Sequence, residues 1–291
     1  MTNFNIEINN KNVEMKIYIT FDMEGVSGVV AGMTGINQNA PTAYSRGQRF
    51  STDDVMAAIE GIMEVDPNAD IYFNDAHGAS LNVFFEEFPE NVNVISNSAE
   101  LFDEVLAIDG SFDALIGIGE HGDTDMQDAV LSHVWDVRKV AFNGKWLTEI
   151  GLDATLAGYY NVPLVMISGD DATCNYVKQQ ISPKIATATV KWGISRSSAI
   201  CLHPKKAQKL IKNAVIDGLK RRNEISPLIF QNPVTVDMVH KSSGEAGAHM
   251  FFVPEDERLS GDTIRFIAAN AKEAYFKFLQ RDKLSKPKAG R

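Results

Sequence analysis

The chain has 291 residues, of which 44% are apolar, which allows one large α/β domain or two smaller ones around a sizeable core. Its formal net charge of −10 argues against nucleic acid or an anionic membrane as a partner, since both need a basic surface. The chain has only two cysteines, Cys174 and Cys201, which excludes a disulfide framework and fits a cytoplasmic location. It has no apolar run of the ~18 residues that would span a membrane.

Short apolar runs alternate with helical patterns through the first half of the chain. Residues 1–14 are polar, lack the apolar core of a secretory signal, and are interpreted as an N-terminal extension. Strands are predicted at 16–21, 70–74, 91–96, 112–119 and 164–168, and helices at 42–63 and 147–160. Continuous apolar runs are typical of buried parallel strands. The pattern therefore predicts an α/β fold with a mostly parallel sheet flanked by helices.

The second half has a different character. Extended segments are predicted at 130–135 and 139–142, followed by a hairpin turn at Asn143-Gly144, and Asp171 is a predicted helix cap. After residue 182 the spacing predicts strands at 186–192, 234–239 and 263–268 and helices at 204–222 and 271–279. We therefore divide the chain into an α/β metal-binding catalytic region, 15–182, and a smaller α+β C-terminal region, 183–282. The basic tail, 283–291, is interpreted as disordered.

Acidic and imidazole side chains follow three of the predicted strands. Asp22 and Glu24 come after the first, His77 after the second and His121 after the fourth. Because the carboxyl ends of parallel strands meet at one edge of a sheet, we expect these side chains to lie close together. Packed carboxylates repel unless a cation or a shared proton relieves them, and carboxylate with neutral imidazole is a ligand set for zinc or a similar divalent ion. The sequence thus predicts a divalent metal centre.

Other interpretations account for single residues but not for the set. An acidic residue after a strand is more often a helix cap or a turn residue, but recurrence at three strand ends favours a metal site. Ser132-His133 lacks the G-x-S-x-G turn of a serine hydrolase, and the glycines near Gly25 depart from the G-x-G-x-x-G dinucleotide pattern. Structural roles are assigned to the three remaining histidines: His203, which precedes a predicted helix, His240 and His249.

A series of motifs recurs in order along nearly the whole chain after Met15. They are Lys16 to Ile19 leading into Asp22-Met23-Glu24-Gly25, then Tyr44-Ser45-Arg46-Gly47, Asn74-Asp75-Ala76-His77-Gly78, Gly119-Glu120-His121, Ser132-His133, residues 149–154, residues 165–171, and Ile194-Ser195-Arg196-Ser197. In these motifs the chain resembles the zinc-dependent D-aminopeptidases of the DppA type.

The resemblance implies a site with two zinc ions per subunit, with cobalt or manganese as alternative metals. It implies that Asp22 bridges the two ions, that Glu24 and His77 complete one site, and that His121 and Glu149 complete the other. It also implies that His133 is the catalytic residue. No further cofactor is expected.

The resemblance also implies the substrate and the assembly. Members of the family act on short peptides with a free D-amino-acid N-terminus, typically D-Ala, and form ring-like homo-oligomers, decamers in the best-known case. We therefore expect a dizinc aminopeptidase. The alternatives are an amidase or L-specific aminopeptidase on the same site, a non-catalytic metal- or ligand-binding oligomer, and a nucleotide-binding oxidoreductase, which would lack a phosphate loop.

The sequence departs from the family pattern close to the expected ligands. Glu120 stands where the family commonly has Tyr. The segment 122–132 is one residue longer than usual and carries Asp123, Asp125 and Asp128, an acidic stretch near the expected place of the substrate amine. These departures leave the metal ligands intact and leave the substrate side chain and the preference for D-residues open.

Overall fold

The computed structural model of the protein describes residues 14–30, 40–78, 80–95 and 105–284. The predicted N-terminal extension lies outside these residues apart from Glu14, and the predicted basic tail lies outside them beyond Leu284. No helix in the described ranges is long and apolar enough to cross a membrane.

The main sheet has seven strands in the order β3-β2-β1-β4-β7-β8-β9, and all neighbours are parallel except β8 and β9. Every residue of β4 and β7 is buried, as are five of the six residues of β1. These central strands thus bury side chains on both faces, as continuous apolar runs predict. The strands are β1 Lys16–Phe21, β2 Asp70–Asp75, β3 Val92–Ile95, β4 Ala114–Glu120, β7 Leu164–Asp170, β8 Ala186–Ser195 and β9 Ser198–Cys201.

Helices cover this sheet. Helix α1, Pro41–Val65, packs closely on α4, Pro204–Lys220, because Gly61 lets the two backbones approach. Helix α2, Glu149–Tyr159, packs against β4, β7 and α6, Ala271–Leu284, and it is buried along almost its whole length. A short helix α3, Asp171–Tyr176, follows β7 and continues as a π-helical turn over Val177–Ile181.

A second, antiparallel sheet has the strand order β11-β12-β10-β5-β6. The predicted hairpin is confirmed, since Asn143 and Gly144 both adopt positive φ, as a two-residue turn requires. The strands are β5 Lys139–Phe142, β6 Lys145–Leu147, β10 Val234–Val239, β11 Glu257–Arg258 and β12 Thr263–Ala268, and helix α5, Ser243–Phe252, lies between β10 and β11.

The α/β class with a mostly parallel sheet is confirmed, and two local expectations were wrong. Residues 130–135 form an irregular loop with only isolated bridges, not a strand. The cap of α3 is Asp170 and not Asp171, because the Asp170 carboxylate accepts a hydrogen bond from the Thr173 amide. Asp171 is the first residue of the helix itself. The division of the chain at residue 183 stays a prediction, and β8 and β9, which follow it, belong to the main sheet.

Candidate metal centre and active site

The predicted ligands meet at the carboxyl end of the main sheet. Strands β2, β1 and β4 are neighbours, so the residues that follow them share one edge. Asp22 and Glu24 leave β1, His77 leaves β2 and His121 leaves β4. Glu149, the first residue of α2, reaches the same place because α2 starts beside the end of β4.

The Asp22 carboxylate lies between two imidazoles. Its Oδ1 is 3.0 Å from Nδ1 of His77, and its Oδ2 is 3.1 Å from Nε2 of His121. The two oxygens of one carboxylate therefore face two different histidines, so Asp22 joins the two imidazoles.

Each histidine has a second carboxylate of its own. Nδ1 of His77 is 2.8 Å from Oε2 of Glu24, and Nε2 of His121 is 3.4 Å from Oε2 of Glu149. The side chains thus fall into two groups joined at Asp22, one with Glu24 and His77 and the other with His121 and Glu149. This is the division that the family resemblance implies.

The donor atoms fit a divalent metal. One ligand atom from each of Asp22, Glu24 and His121 lies within 4.8 Å of the others, and the same holds for His121, His133 and Glu149. Oε2 of Glu24 lies 2.8 Å from Nδ1 of His77, and Nε2 of His121 lies 3.1 Å from Oδ2 of Asp22, yet neither of these buried atoms makes an aligned hydrogen bond within the described residues. Buried polar atoms are costly without a partner, and a cation in each group would supply one. Carboxylate oxygens and imidazole nitrogens are donors that suit zinc.

Two histidines are held in one tautomer by backbone carbonyls. Nδ1 of His121 donates to the Gly122 oxygen at 2.9 Å, and Nδ1 of His133 donates to the Leu131 oxygen at 2.9 Å. Because a carbonyl only accepts, Nδ1 carries the proton and Nε2 presents its lone pair to the site. Such partners commonly fix the orientation of a metal-binding imidazole.

The electrostatics of the site favour cations. Burial lowers the pKa of His77, but the charges of Glu24 and Asp22 outweigh it and raise this pKa well above its usual value. The carboxylates respond in the opposite direction: burial raises the pKa of Glu149, yet the neighbouring His121 and His133 bring it down to about 2. The Glu149 carboxylate thus stays ionised at neutral pH and attracts positive charge.

His133 differs from the ligands in its exposure. Its side chain is 33% exposed, against 1% for His121, on whose ring it stacks at 4.2 Å between centroids. Its Nε2 is 3.8 Å from Oε1 of Glu149. His133 therefore borders the two ligand groups and, unlike His121, has part of its ring open to solvent.

Long-range hydrogen bonds hold the loop that carries His133. The Val130 amide donates to Asp170 at 2.6 Å, the Leu131 amide donates to the Arg196 carbonyl at 2.8 Å, and Nε of Arg196 donates to the Ser132 carbonyl at 3.1 Å. Leu131 adopts φ of +53°, a conformation that costs a bulky residue energy and persists only where the surroundings impose it. Sequence analysis missed the roles of Asp170 and Arg196, and the only signal for Arg196 was its place in a family motif.

The acidic segment after His121 is largely engaged with its own surroundings. Asp125 forms ion pairs with Arg138 at 3.1 Å and Lys139 at 2.6 Å, and Asp123 accepts the Asp125 amide at 2.8 Å. Glu120 is buried, and burial together with the charge of Asp22 raises its pKa well above the usual value. A position near the substrate amine stays a prediction for this segment.

The remaining histidines have structural partners, as predicted. His203 caps α4, since its Nδ1 accepts the Lys205 amide at 3.3 Å. His240 and His249 lie buried side by side, with Nε2 of His249 donating to Asp256 at 2.8 Å. Arg281 holds Asp256 from the other side through two hydrogen bonds.

Comparison with known proteins agrees with this geometry. A family model described as Peptidase M55, D-aminopeptidase, matches residues 15–280. The chain belongs to this family. It is 28% identical over 263 residues to a D-aminopeptidase of Bacillus subtilis (strain 168), a match that covers 90% of this chain and 94% of the relative.

A solved structure extends the likeness to the fold. It is the Zn-dependent D-aminopeptidase DppA from Bacillus subtilis, described as a self-compartmentalizing protease. The superposition has a TM-score of 0.87 at 28% identity and covers 95% of this chain and all of the other. The family resemblance, the α/β fold and the assignment as a D-aminopeptidase are thereby confirmed.

Proposed function

We propose that this protein is a dizinc aminopeptidase that removes the N-terminal residue, a D-amino acid such as D-Ala, from short peptides. The observation that carries the proposal is the Asp22 carboxylate, whose two oxygens face His77 and His121 separately. Asp22, Glu24 and His77 would hold one ion, and Asp22, His121 and Glu149 the other. Cobalt or manganese would fit the same oxygen and nitrogen donors.

Zinc, when bound, would polarise the scissile carbonyl and lower the pKa of water at the site. The chain itself supplies proton transfer through His133. Its Nε2 carries the lone pair, so it can accept a proton from the attacking water and return that proton to the leaving amine. The Leu131 carbonyl keeps the ring in this orientation, and stacking on His121 keeps it beside the ligands.

Metal analysis of the purified protein tests the site. We expect about two zinc ions per chain, no hydrolysis after chelation, and recovery of hydrolysis with zinc, cobalt or manganese. Protein that binds no divalent metal tightly and stays inactive after metal addition would refute the proposal.

A panel of matched D- and L-aminoacyl amides and dipeptides tests the substrate. We expect higher kcat/KM for D-Ala dipeptides than for their L-counterparts. Faster cleavage of L-substrates would make the protein an L-specific aminopeptidase, and cleavage of simple amides alone would make it an amidase. Metal binding without any turnover would indicate a ligand-binding protein.

The relative's self-compartmentalizing assembly supports a proposal about this chain's own assembly. We infer a ring-like homo-oligomer, with a decamer as the specific expectation. Sedimentation analysis would detect it, and a monomer at micromolar concentration would refute it. We further infer a cytoplasmic location, which the two free cysteines support.

A further inference from the structure

A lysine is buried beneath the loop that carries the first metal ligands. Lys191, on β8, is fully buried. Its Nζ donates to three backbone carbonyls of one short segment, those of Glu24, Val26 at 3.1 Å and Val29 at 2.7 Å. An ammonium group has three N–H donors, and all three are used on this loop, residues 24–29. The loop thus surrounds Nζ with carbonyl oxygens, as a backbone surrounds a bound cation.

The same loop is held from another side by a buried carboxylate. The Ser27 amide donates to Oδ2 of Asp54 at 2.8 Å, and the Ser27 hydroxyl donates to Oδ1 at 2.8 Å. Asp54 lies on α1 and is fully buried. The carbonyls of loop 24–29 therefore face the Lys191 ammonium group, and the Ser27 donors face the carboxyl group of Asp54. Both anchors belong to elements remote in sequence.

A second loop of the site is anchored next to the first. Asp170 on β7 pairs in register with Lys191 on β8. The side chain of Asp170 accepts the Val130 amide at the start of the loop that carries His133. One pair of neighbouring residues on β7 and β8 thus anchors both loops: Lys191 holds the Glu24 loop and Asp170 holds the His133 loop.

A buried ammonium is a costly way to fill space. Removing a charge from water has a desolvation penalty of several kcal/mol, and an apolar side chain of similar volume often serves stability as well or better. Within the described residues Nζ donates only to carbonyls and forms no direct ion pair, so the charges of Asp170, Glu24 and Asp54 act on it only from a distance. These bonds fix the backbone conformation of the loop that carries the Glu24 side chain.

We propose that Lys191 is a positioning residue of the metal centre. Its ammonium group sets the conformation of loop 24–29 before metal binds, so that Oε2 of Glu24 faces His77. The inference rests on the proposed function, because it takes Glu24 as a ligand. Lys191 donates to the Glu24 carbonyl and not to its carboxylate, so its effect passes through the backbone of Glu24.

The test compares Lys191→Met and Lys191→Ala with wild type. Zinc affinity is measured by competition with a chelator, the coordination geometry by the visible spectrum of the cobalt form, and stability by thermal unfolding of the metal-free protein. We expect both variants to fold and to bind one of the two zinc ions about 10–100-fold more weakly, the range typical when a group that orients a ligand is lost. The cobalt spectrum should change in the same step of the titration.

Chemical rescue makes the test specific. Lys191→Ala removes all of the side chain beyond Cβ, and propylammonium is the missing fragment. We expect propylammonium to restore zinc affinity and the cobalt spectrum of Lys191→Ala, whereas 1-propanol and tetramethylammonium should not, because neither donates three charged N–H groups.

Ile62→Ala is the matched control. Ile62 is fully buried, and its carbonyl accepts the amide of Asp66, whose carboxylate holds Met15 just before β1 begins. Its truncation at this amino end of the sheet costs roughly 2–5 kcal/mol of stability. We expect it to lower the unfolding temperature and leave zinc affinity and the cobalt spectrum unchanged.

The outcomes separate the two proposals. Wild-type protein without tight zinc binding refutes the proposed function. Wild-type zinc binding together with unchanged affinity in Lys191→Met overturns the positioning role, as does an equal loss of affinity in Ile62→Ala. If Lys191→Ala stays unfolded even with propylammonium, Lys191 serves folding and the positioning role is also overturned.

Discussion

Gly25 is the point at which the first ligand loop touches the neighbouring strand. Its amide donates to the Gly119 carbonyl at 2.6 Å, and a Cβ at this position would lie 2.0 Å from the Glu120 carbonyl oxygen and 2.4 Å from the Gly119 carbonyl group. Atoms do not approach that closely, so Gly25→Ala must push the loop about 1 Å away from β4. Displacements of this size at catalytic groups cost about 10²-fold in rate.

The measurement is kcat/KM of the zinc-loaded protein with a D-alanyl dipeptide, together with zinc affinity by chelator competition. We expect Gly25→Ala to lose about 10²-fold in kcat/KM and to bind zinc more weakly. Gly247→Ala is the control, because no atom lies within 4 Å of its added Cβ and alanine in helix α5 is favoured by roughly 0.5–1 kcal/mol. A Gly25→Ala enzyme within about twofold of wild type would refute the reasoning, since the loop would then not need its observed position.

Three further predictions concern single side chains. Asp22→Ala should weaken the binding of both zinc ions, whereas Glu24→Ala should weaken the binding of chiefly one. If a zinc titration shows the same effect for both variants, Asp22 is not shared between the ions. His133→Gln should keep its zinc and lose turnover by about 10²-fold, and unchanged turnover would remove His133 from the mechanism. Burial and the neighbouring His249 lower the pKa of His240 to about 4. Between about pH 6.5 and 4 the imidazole is therefore protonated in the unfolded chain but neutral in the folded protein. The free energy of unfolding should fall by roughly 3 kcal/mol as the pH drops through this range. Urea unfolding across this range should show a shallower loss in His240→Gln, and identical slopes would contradict the shift.

Four of the five proposed metal ligands were predictable from local sequence because each follows a buried strand, whereas Glu149 was assigned only through the family resemblance. Asp22 and Glu24 follow an apolar run that ends at Phe21, and His77 and His121 follow two more such runs. A buried strand is recognisable from its own residues, and the carboxyl ends of parallel strands converge by the geometry of the sheet. Strand prediction and ligand prediction therefore supported each other.

The supports of the ligands were not predictable in the same way. Lys191 reaches a loop 167 positions earlier in the chain, and Asp54 is one polar residue in a long helix. Nothing in the neighbouring sequence of either residue signals its partner. The apolar residues around Leu131 predict a strand, whereas long-range hydrogen bonds impose an irregular backbone there.

Helix α5 was missed for another reason. Its sequence contains two glycines and a histidine among apolar residues, so its intrinsic helix propensity is low. The Ser242 side chain accepts the Glu245 amide at 3.2 Å, and Ala246 and His249 are buried against the rest of the protein. Capping and packing thus form a helix that the spacing of residues does not show.

The order of strands β2, β1 and β4 has a consequence for how this centre can vary. Neighbouring strands are spaced about 4.8 Å apart, so the two flanking histidines stand roughly two strand widths from each other. Only a side chain from the middle strand is equidistant from both, and Asp22 holds that place. Replacement of a donor that follows an outer strand would change the metal affinity of one proposed site and leave that of the other unchanged. The spacing of the two proposed ions would thus follow from the spacing of the strands, and a change of metal preference would not require a different sheet.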